Sequence, residues 1–150
     1  MFHEKVRLFI LQAGLYAILL MISTMQRDNS LIYIIEDDEP IRRLYVMKFT
    51  AAGYRVEAAE NGQVGLELME KEVPDLVLLD LKMPVLDGVG FLRNVRARQW
   101  PKQVKIIILT NTNRSEAPSE LRFFDISRYI VKVHHTPQQV LDIAAETLGP

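Results

Sequence analysis

The stretch LVLLDLKMPVLDG, residues 76–88, combines an apolar run with a proline and two acids. The apolar run ends in a single carboxylate, Asp80. A run that is apolar throughout is typical of a strand that is buried on both faces of a parallel sheet. A second acid, Asp87, precedes a glycine and a further apolar pattern, which favours a helix with Asp87 as its N-cap. The stretch therefore predicts a buried strand with a carboxylate at its carboxyl end.

Strand and helix patterns alternate along the chain on either side of this stretch. Apolar runs predict strands at residues 31–35, 54–59, 75–80, 104–110 and 128–132. Helices are expected at residues 40–52, 63–72, 88–95, about 115–124 and 137–148. The buried stripe of the first of these helices is predicted to contain Ile41, Leu44, Tyr45 and Phe49. Since such alternation gives right-handed parallel crossovers, we expect an α/β fold, an open five-stranded parallel sheet with helices on both faces.

Composition narrows the classes of protein that the chain can belong to. Its 150 residues suggest one domain, with 49% hydrophobic and 25% charged residues, as in ordinary globular proteins. The net charge of −1 provides no basic field for nucleic acid, so we expect no nucleic-acid partner. The absence of cysteine excludes disulfides, thiolate zinc sites and cysteine nucleophiles.

The first 28 residues differ from the rest. Residues 8–22 contain one clearly polar side chain, Gln12, and show no polar face. The run is short for a membrane span, which needs about 20 apolar residues. Three interpretations stay open: a translation start set too early, with Met25 as the real start; a membrane or docking helix; or a signal peptide. We expect a hydrophobic extension at residues 1–28 and a domain at residues 29–150.

Polar side chains follow the predicted strands at their carboxyl ends. Glu36 and Asp37 follow the first strand, Asp80 the third, Thr110 ends the fourth, and Lys132 ends the fifth. In an open parallel sheet these ends form one edge, where ligands bind. Carboxylates at close range repel unless a cation neutralises them, and oxygen ligands suit Mg²⁺. A carboxylate beside Mg²⁺ can accept a phosphoryl group, with the lysine and the hydroxyl binding its oxygens.

Residues 31–148 resemble the receiver domain of bacterial two-component response regulators. The fragments that carry the resemblance are IIEDDEPIRRL, PDLVLLDLKMPVLDGVGFL, IIILTNT and YIVK, in that order. The resemblance implies that Asp80 is phosphorylated and that Glu36 and Asp37 complete an acidic pocket. It also implies that Mg²⁺ binds directly to Asp37, to Asp80 and to the backbone carbonyl of Lys82.

The resemblance implies further roles and partners. Thr110 and Lys132 correspond to the switch hydroxyl and the phosphate-binding lysine. Tyr129 corresponds to the aromatic switch, although a tyrosine in a strand can equally serve packing alone. A histidine kinase or phosphotransfer protein is the expected donor, an unidentified protein the downstream target, and the cytoplasm the location. Since no output domain follows Pro150, the chain resembles a stand-alone receiver.

The sequence departs from the family pattern at three places. Val133 follows the lysine where family members usually have proline, Asn111 stands where smaller residues are common, and FFDISR precedes Tyr129 without the usual small residues. Val133 and FFDISR leave room for a pseudo-receiver that binds partners without phosphorylation, and Asn111 is expected to narrow access to Asp80. A Mg²⁺-dependent phosphohydrolase is a further alternative, because Glu36 and Asp38 have the two-residue spacing of its acids. We otherwise expect no enzyme activity beyond self-phosphorylation and dephosphorylation.

Overall fold

A computed structural model describes residues 1–27 and 29–149, without the side chains of Phe2 and residues 22–27. The strands of the described part are β1 (Leu31–Ile35), β2 (Arg55–Ala59), β3 (Leu76–Leu79), β4 (Lys105–Thr110) and β5 (Arg128–Val131). Its α-helices are α1 (Phe2–Arg27), α2 (Glu39–Ala51), α3 (Gly62–Lys71), α4 (Gly88–Ala97) and α5 (Pro137–Leu148). The predicted boundary after Asp28 falls on a residue outside the described part.

The strands form one parallel sheet in the order β2-β1-β3-β4-β5. The predicted five-stranded fold is thereby confirmed. Because β1 connects to β2 on one side and pairs with β3 on the other, the strand order reverses between β1 and β3. Their register pairs Ile35 with Leu79, so the two strands end side by side. Parallel sheets bind ligands at the carboxyl ends of strands at such a reversal.

Apolar side chains cover both faces of the sheet, as the uninterrupted apolar strands predict. On one face, Tyr33 and Ile35 of β1 lie in a buried cluster with Leu66 of α3 and Phe91 of α4. On the other face, alternate strand residues pack with the helices α2 and α5. The buried residues of this second cluster are Ile32, Ile34, Tyr45, Phe49, Tyr54, Leu76, Leu78, Ile107, Leu109, Ile130, Val140 and Ala144. Helices α3 and α4 therefore lie on one face, and α2 and α5 on the other.

Side-chain caps begin helices α4 and α5, and the sequence predicts the cap of α4 at Asp87. The Asp87 carboxylate accepts a hydrogen bond of 2.7 Å from the Gly90 N–H at the start of α4. Thr136 and Gln139 form a capping box before α5. Since these bonds satisfy backbone N–H groups that lack a partner within the helix, they define where each helix begins.

The prediction of one helix at about residues 115–124 is wrong. Two short 3-10 helices, Arg114–Glu116 and Ser119–Phe123, occupy this connection. Ala117 between them has φ −64° and ψ 146°, an extended conformation. A residue before proline is disfavoured in the α conformation, so Pro118 prevents one continuous helix here.

The prediction that Leu44 belongs to the buried stripe of α2 is also wrong, because its side chain is 48% exposed. Tyr45 and Phe49 are buried, and Ile41 packs partly against them. These three residues are spaced four apart and form one narrow line along the helix. Leu44 lies to the side of that line and faces solvent.

Helix α1 contributes no described residue to either core cluster. Residues 3–21 are all exposed, including many large apolar side chains such as Leu8, Phe9 and Leu15. Among the residues that the structure describes, no helix combines the length and apolarity that crossing a membrane requires.

Candidate functional site

The acidic side chains predicted at the strand ends lie together where the strand order reverses. Glu36 follows β1 directly, Asp80 follows β3 directly, and both are buried. Asp37 is exposed. Carboxylate oxygens of the three residues lie within 4.8 Å of one another. The adjacent ends of β1 and β3 bring these acids together, although more than forty positions separate Asp37 from Asp80 in the sequence.

Lys132 brings a positive charge into this buried cluster. It follows β5, and its Nζ donates hydrogen bonds to Glu36 Oε2 and, at 3.2 Å, to Asp80 Oδ2. Its side chain is only 9% exposed, so these ion pairs are shielded from water. Hydrogen bonding to Glu36 raises the pKa of Lys132 against the opposing effect of burial. Lys132 therefore stays charged and partly neutralises the two carboxylates.

Glu36 is the acid that burial affects most clearly. Burial raises the pKa of Glu36 to about 7, against the opposing effect of the Lys132 hydrogen bond. The neighbouring negative charge of Asp80 also contributes to this increase of the pKa. One ammonium group therefore does not fully compensate the acids, which leaves the cluster favourable for an additional cation.

Asp80 is held by the loop that follows it. Its Oδ1 accepts hydrogen bonds from the backbone N–H groups of Leu81, at 2.7 Å, and Lys82, at 3.4 Å. Gly88 packs against the same loop, and a Cβ at this position would lie 2.4 Å from the Asp80 carbonyl oxygen. The glycine of the sequence LDG is therefore required for the close approach of α4 to Asp80.

Arg42 is a residue of the site that sequence reasoning missed. Its guanidinium donates hydrogen bonds to the carbonyl oxygens of Glu36, at 2.8 Å, and Asp37, at 3.1 Å. These bonds connect α2 to the acidic loop and restrain its backbone. No sequence signal indicated this role, because an arginine in the first turns of a helix is usually a solvated surface residue.

A chain of hydrogen bonds connects Thr110 to Tyr129. Thr110 ends β4 and is 1% exposed, and its hydroxyl oxygen accepts a bond of 3.3 Å from the Thr112 N–H. The Thr112 carbonyl in turn accepts a bond of 2.8 Å from the Tyr129 hydroxyl. The half-buried Tyr129 also packs against the core. The structure therefore links the two predicted switch residues through the backbone of Thr112.

The loop after Lys132 carries the departure from the family pattern. No peptide bond in the described part of the chain is cis, which agrees with the trans conformation expected with Val133 after the lysine. Residues Lys132–His134 form a short 3-10 helix in which Val133 is 73% exposed. This loop nevertheless directs the Lys132 ammonium group into the acidic cluster.

The donor atoms of the cluster fit a hard divalent cation. Glu36, Asp37 and Asp80 offer carboxylate oxygens, and Mg²⁺ prefers oxygen ligands together with water. Because Asp37 is exposed, a cation bound there could keep several of its waters. The Lys82 N–H bond to Asp80 shows that the backbone of Lys82 lies beside the cluster. The site therefore suits Mg²⁺ in charge, ligand type and access.

The sheet order and the position of the acids define an α/β protein with an acidic cation site at the reversal of strand order. The chain belongs to the response regulator receiver domain family, whose model matches residues 32–144. This family comprises the phosphoryl-accepting signalling modules of two-component systems, which are not conventional enzymes.

Similar proteins agree with this assignment. A probable transcriptional regulator ycf27 of Porphyra purpurea is 38% identical over 57% of this chain and 34% of its own length. Sporulation initiation phosphotransferase F of Bacillus subtilis is 39% identical over 55% of this chain and 64% of its own length. The chain thus spans about a third of the length of the ycf27 relative.

Solved structures of receiver domains share the fold. The chemotaxis response regulator CheY4 of Vibrio cholerae superimposes with a TM-score of 0.71 at 26% identity, covering 79% of this chain and 98% of that one. A CheY-like receiver domain of Methylobacillus flagellatus gives a TM-score of 0.69 at 18% identity, covering 79% and 98%. The second likeness concerns the fold alone.

Proposed function

We propose that the chain accepts a phosphoryl group on Asp80 from a histidine kinase or a phosphotransfer protein and relays the signal by changing its affinity for a downstream protein. The observation that carries this proposal is the buried Asp80 carboxylate at the end of β3, within hydrogen-bond distance of Lys132 and beside Glu36 and Asp37. An acid that served only to cap the loop would not require a buried lysine and two further acids.

The acidic cluster would hold the Mg²⁺ ion. Asp37 and Asp80 are proposed as direct ligands, the carbonyl of Lys82 as a third, and Glu36 as the acid that completes the pocket. When bound, Mg²⁺ supplies positive charge that offsets the charge developing on the transferring phosphoryl group. Arg42 restrains the backbone that carries Glu36 and Asp37.

The proposed transfer uses Asp80 as the nucleophile. One carboxylate oxygen of Asp80 forms a bond to phosphorus as the phosphorus–nitrogen bond of a phosphorylated histidine on the donor breaks, and the electron pair leaves with the histidine nitrogen. The Lys132 ammonium and the Thr110 hydroxyl would bind the oxygens of the phosphorylated product. The remaining requirement is in-line access to Asp80.

The signal would leave the site along the hydrogen bonds between Thr110 and Tyr129. If the Thr110 hydroxyl turns toward the phosphoryl oxygens, it gives up its bond to the Thr112 N–H. The Thr112 carbonyl, which accepts from Tyr129, would shift with that backbone. Because such a change moves an existing equilibrium, its size depends on the difference in contacts between the two states.

The two alternative functions find less support. Asp38, the second acid that a phosphohydrolase would need, accepts the Ile41 N–H at 3.0 Å as the N-cap of α2. Its carboxylate therefore serves to cap α2. A pseudo-receiver would need neither the acids nor Lys132, and these are assembled in one cluster.

We further propose that residues 29–150 are the receiver domain and residues 1–28 an extension with a separate role. Since a histidine kinase obtains its phosphoryl group from ATP, we place the domain in the cytoplasm. The net charge of −1 favours a protein over a nucleic acid as the partner.

Intact mass measured after incubation with Mg²⁺ and acetyl phosphate tests the proposed function. We expect wild type to gain one phosphoryl group and Asp80→Asn to gain none. Asp87→Asn is the matched control, since Asp87 lies in the same loop but caps α4, and we expect it to be labelled like wild type. Equal labelling of wild type and Asp80→Asn would refute the assignment.

A further inference from the structure

A second concave site lies in the connection between β4 and β5. It encloses about 740 Å³ and is bordered by the two 3-10 helices on one side and by β5 on the other. Its lining includes Arg114, Arg122, Arg128, Phe124 and Tyr129, and we refer to it as the arginine cleft. Sites for small ligands have volumes of about 300–1,000 Å³, so the cleft has room for one.

The charged residues that line the arginine cleft are all basic. Three arginines line it, and no lining residue is acidic. Glu120, which is close in sequence, is instead paired with Arg93 through bonds of 2.5 and 2.6 Å. Arg128 has a long ion pair of 3.8 Å with the exposed Glu146, which a stronger anion could replace. The lining therefore favours an anion.

The overall charge limits the size of that anion. The chain as a whole has a net charge of −1, and salt screens the potential of exposed arginines within about 10 Å. A nucleic acid would need a larger basic surface that neutralises several phosphates. A ligand with one or two phosphate groups fits a cluster of three arginines, since guanidinium groups bind phosphate in a bidentate manner.

The cleft also offers flat surfaces. The rings of Phe124 and Tyr129 are partly buried and line it, together with Ile126. The Arg114 guanidinium lies over the Tyr129 ring, 5.8 Å from its centroid. Aromatic rings and guanidinium planes both stack on nucleobases and similar flat rings. A ligand that combined a phosphate with a flat ring would use both halves of the lining.

We propose that the arginine cleft binds a small organic phosphate of the nucleotide class. The site is separate from the acidic cluster, and its lining is in place without a phosphoryl group on Asp80. Tyr129 connects the cleft to the hydrogen bonds that lead to Thr110, because it lines the cleft and donates to the Thr112 carbonyl. In one respect the proposal rests on the proposed function: a nucleotide in the cleft would shift the equilibrium between the two signalling states. Phosphorylation shifts the same equilibrium and would therefore change the affinity for the nucleotide.

Calorimetric titration of the full chain tests the proposal. The probes are adenosine and guanosine monophosphate, adenosine alone and inorganic phosphate alone. We expect at least one nucleotide to bind at least about tenfold more tightly than either half-ligand, since ring and phosphate contacts add. Asp80→Asn should bind it like wild type, which separates failure of the cleft from failure of the phosphoryl site.

Variants that replace arginine by glutamine locate the binding. We expect the double variant Arg122→Gln, Arg128→Gln to lose at least about tenfold in affinity. The control Arg43→Gln removes an exposed arginine that is paired with Glu39 on α2, and its affinity should stay unchanged. Since all three arginines are exposed, we expect no change in the unfolding midpoint.

Three outcomes would overturn the proposal. The first is the absence of a binding signal for both nucleotides at ligand concentrations of about 1 mM, at which even a weak site would be partly filled. The second is an equal loss of affinity in the double variant and in Arg43→Gln, which would indicate a general charge effect. The third is an aspartate-rich and glutamate-rich peptide binding more tightly than either nucleotide, which would assign the cleft to a protein partner.

Discussion

Glu36 is a carboxylate that the fold buries, and its proton affinity differs between the folded and unfolded states. Its pKa is about 7 in the folded domain and 4.5 as its ordinary value. Between these values the folded state holds the proton more tightly than the unfolded state does. The contribution of Glu36 to stability is therefore lost as the pH rises from about 4.5 to about 7.

The variant Glu36→Gln should remove this pH dependence. In EDTA, we expect the free energy of unfolding of wild type to decrease between about pH 5 and pH 8 relative to Glu36→Gln. Urea unfolding of both proteins at the two pH values measures the difference. Every other titrating group is shared, so parallel pH profiles would show that Glu36 is not the residue responsible.

Lys132 should be important for stability as well as for signalling. We expect Lys132→Ala to lower the free energy of unfolding at pH 8 by about 3 kcal/mol, because it leaves buried carboxylates without their cation. Added Mg²⁺ should restore part of this loss. Urea unfolding with and without Mg²⁺ measures both effects.

A surface ion pair provides the comparison for Lys132. Lys102 pairs with Asp75 at 2.8 Å, and their side chains are 42% and 34% exposed. Removal of Lys102 should cost less than about 1 kcal/mol, as is usual for solvent-screened pairs. If Lys102→Ala and Lys132→Ala have equal effects, the burial of the Lys132 pairs does not matter for stability.

At the scale of elements, the loop from β3 to α4 contains a strained residue. Val85 has φ 68° and is 81% exposed. A β-branched residue is rarely found in this left-handed region, because its side chain crowds the backbone. No described contact of the side chain compensates for this strain by burial. The strain lies in the loop that carries Asp80 and Lys82.

Replacement of Val85 by glycine should stabilise the domain. We expect Val85→Gly to gain about 1 kcal/mol, since relief of the left-handed strain exceeds the added entropy of the unfolded chain. Val133→Gly is the matched control: Val133 is also an exposed valine but is not among the residues with positive φ. That variant should lose about 0.5–1 kcal/mol. Thermal unfolding measures both, and a loss in each would contradict the strain assigned to Val85.

The prediction of elements from sequence succeeds where neighbouring residues decide the structure. The five strands and the helices α2 to α5 follow from apolar periodicity and from caps such as Asp87 and Thr136. These signals act within a few residues. The connection that contains Ser119–Phe123 differs from the predicted helix because Pro118 disfavours the α conformation at Ala117.

At the scale of the whole molecule, helix α1 is separate from the packing of the domain. Its described side chains are exposed, and none belongs to a core cluster. We expect a chain that starts at Met25 to keep the cooperative unfolding and the midpoint of the full chain. The full chain should associate more readily, because it exposes a large apolar surface.

Urea unfolding of the two chains tests the cooperativity and the midpoint, and light scattering tests their association. The Mg²⁺-dependent gain of a phosphoryl group should also be the same in both, since the acidic cluster lies entirely within residues 36–132. A shorter chain with non-cooperative unfolding would show that α1 stabilises the domain.

Alternation of apolar strands with capped helices was sufficient to identify the sheet, its two covered faces and the edge where Glu36, Asp80 and Lys132 would meet. Local patterns record burial and helix ends because these depend on residues within a few positions of one another. Parallel crossovers then place every strand end on the same edge. The polar residues at the strand ends therefore identify the candidate site from the sequence alone.

The contacts between distant residues required the tertiary structure. Lys132 binds Glu36 across 96 positions, and the bonds of Arg42 to the acidic loop and of Tyr129 to Thr112 had no sequence signal. The sequence pattern also did not predict the positive φ of Val85 or the arginine cleft. Such contacts depend on sheet register and loop geometry, which arise from the packing of all the elements together and not from any single segment.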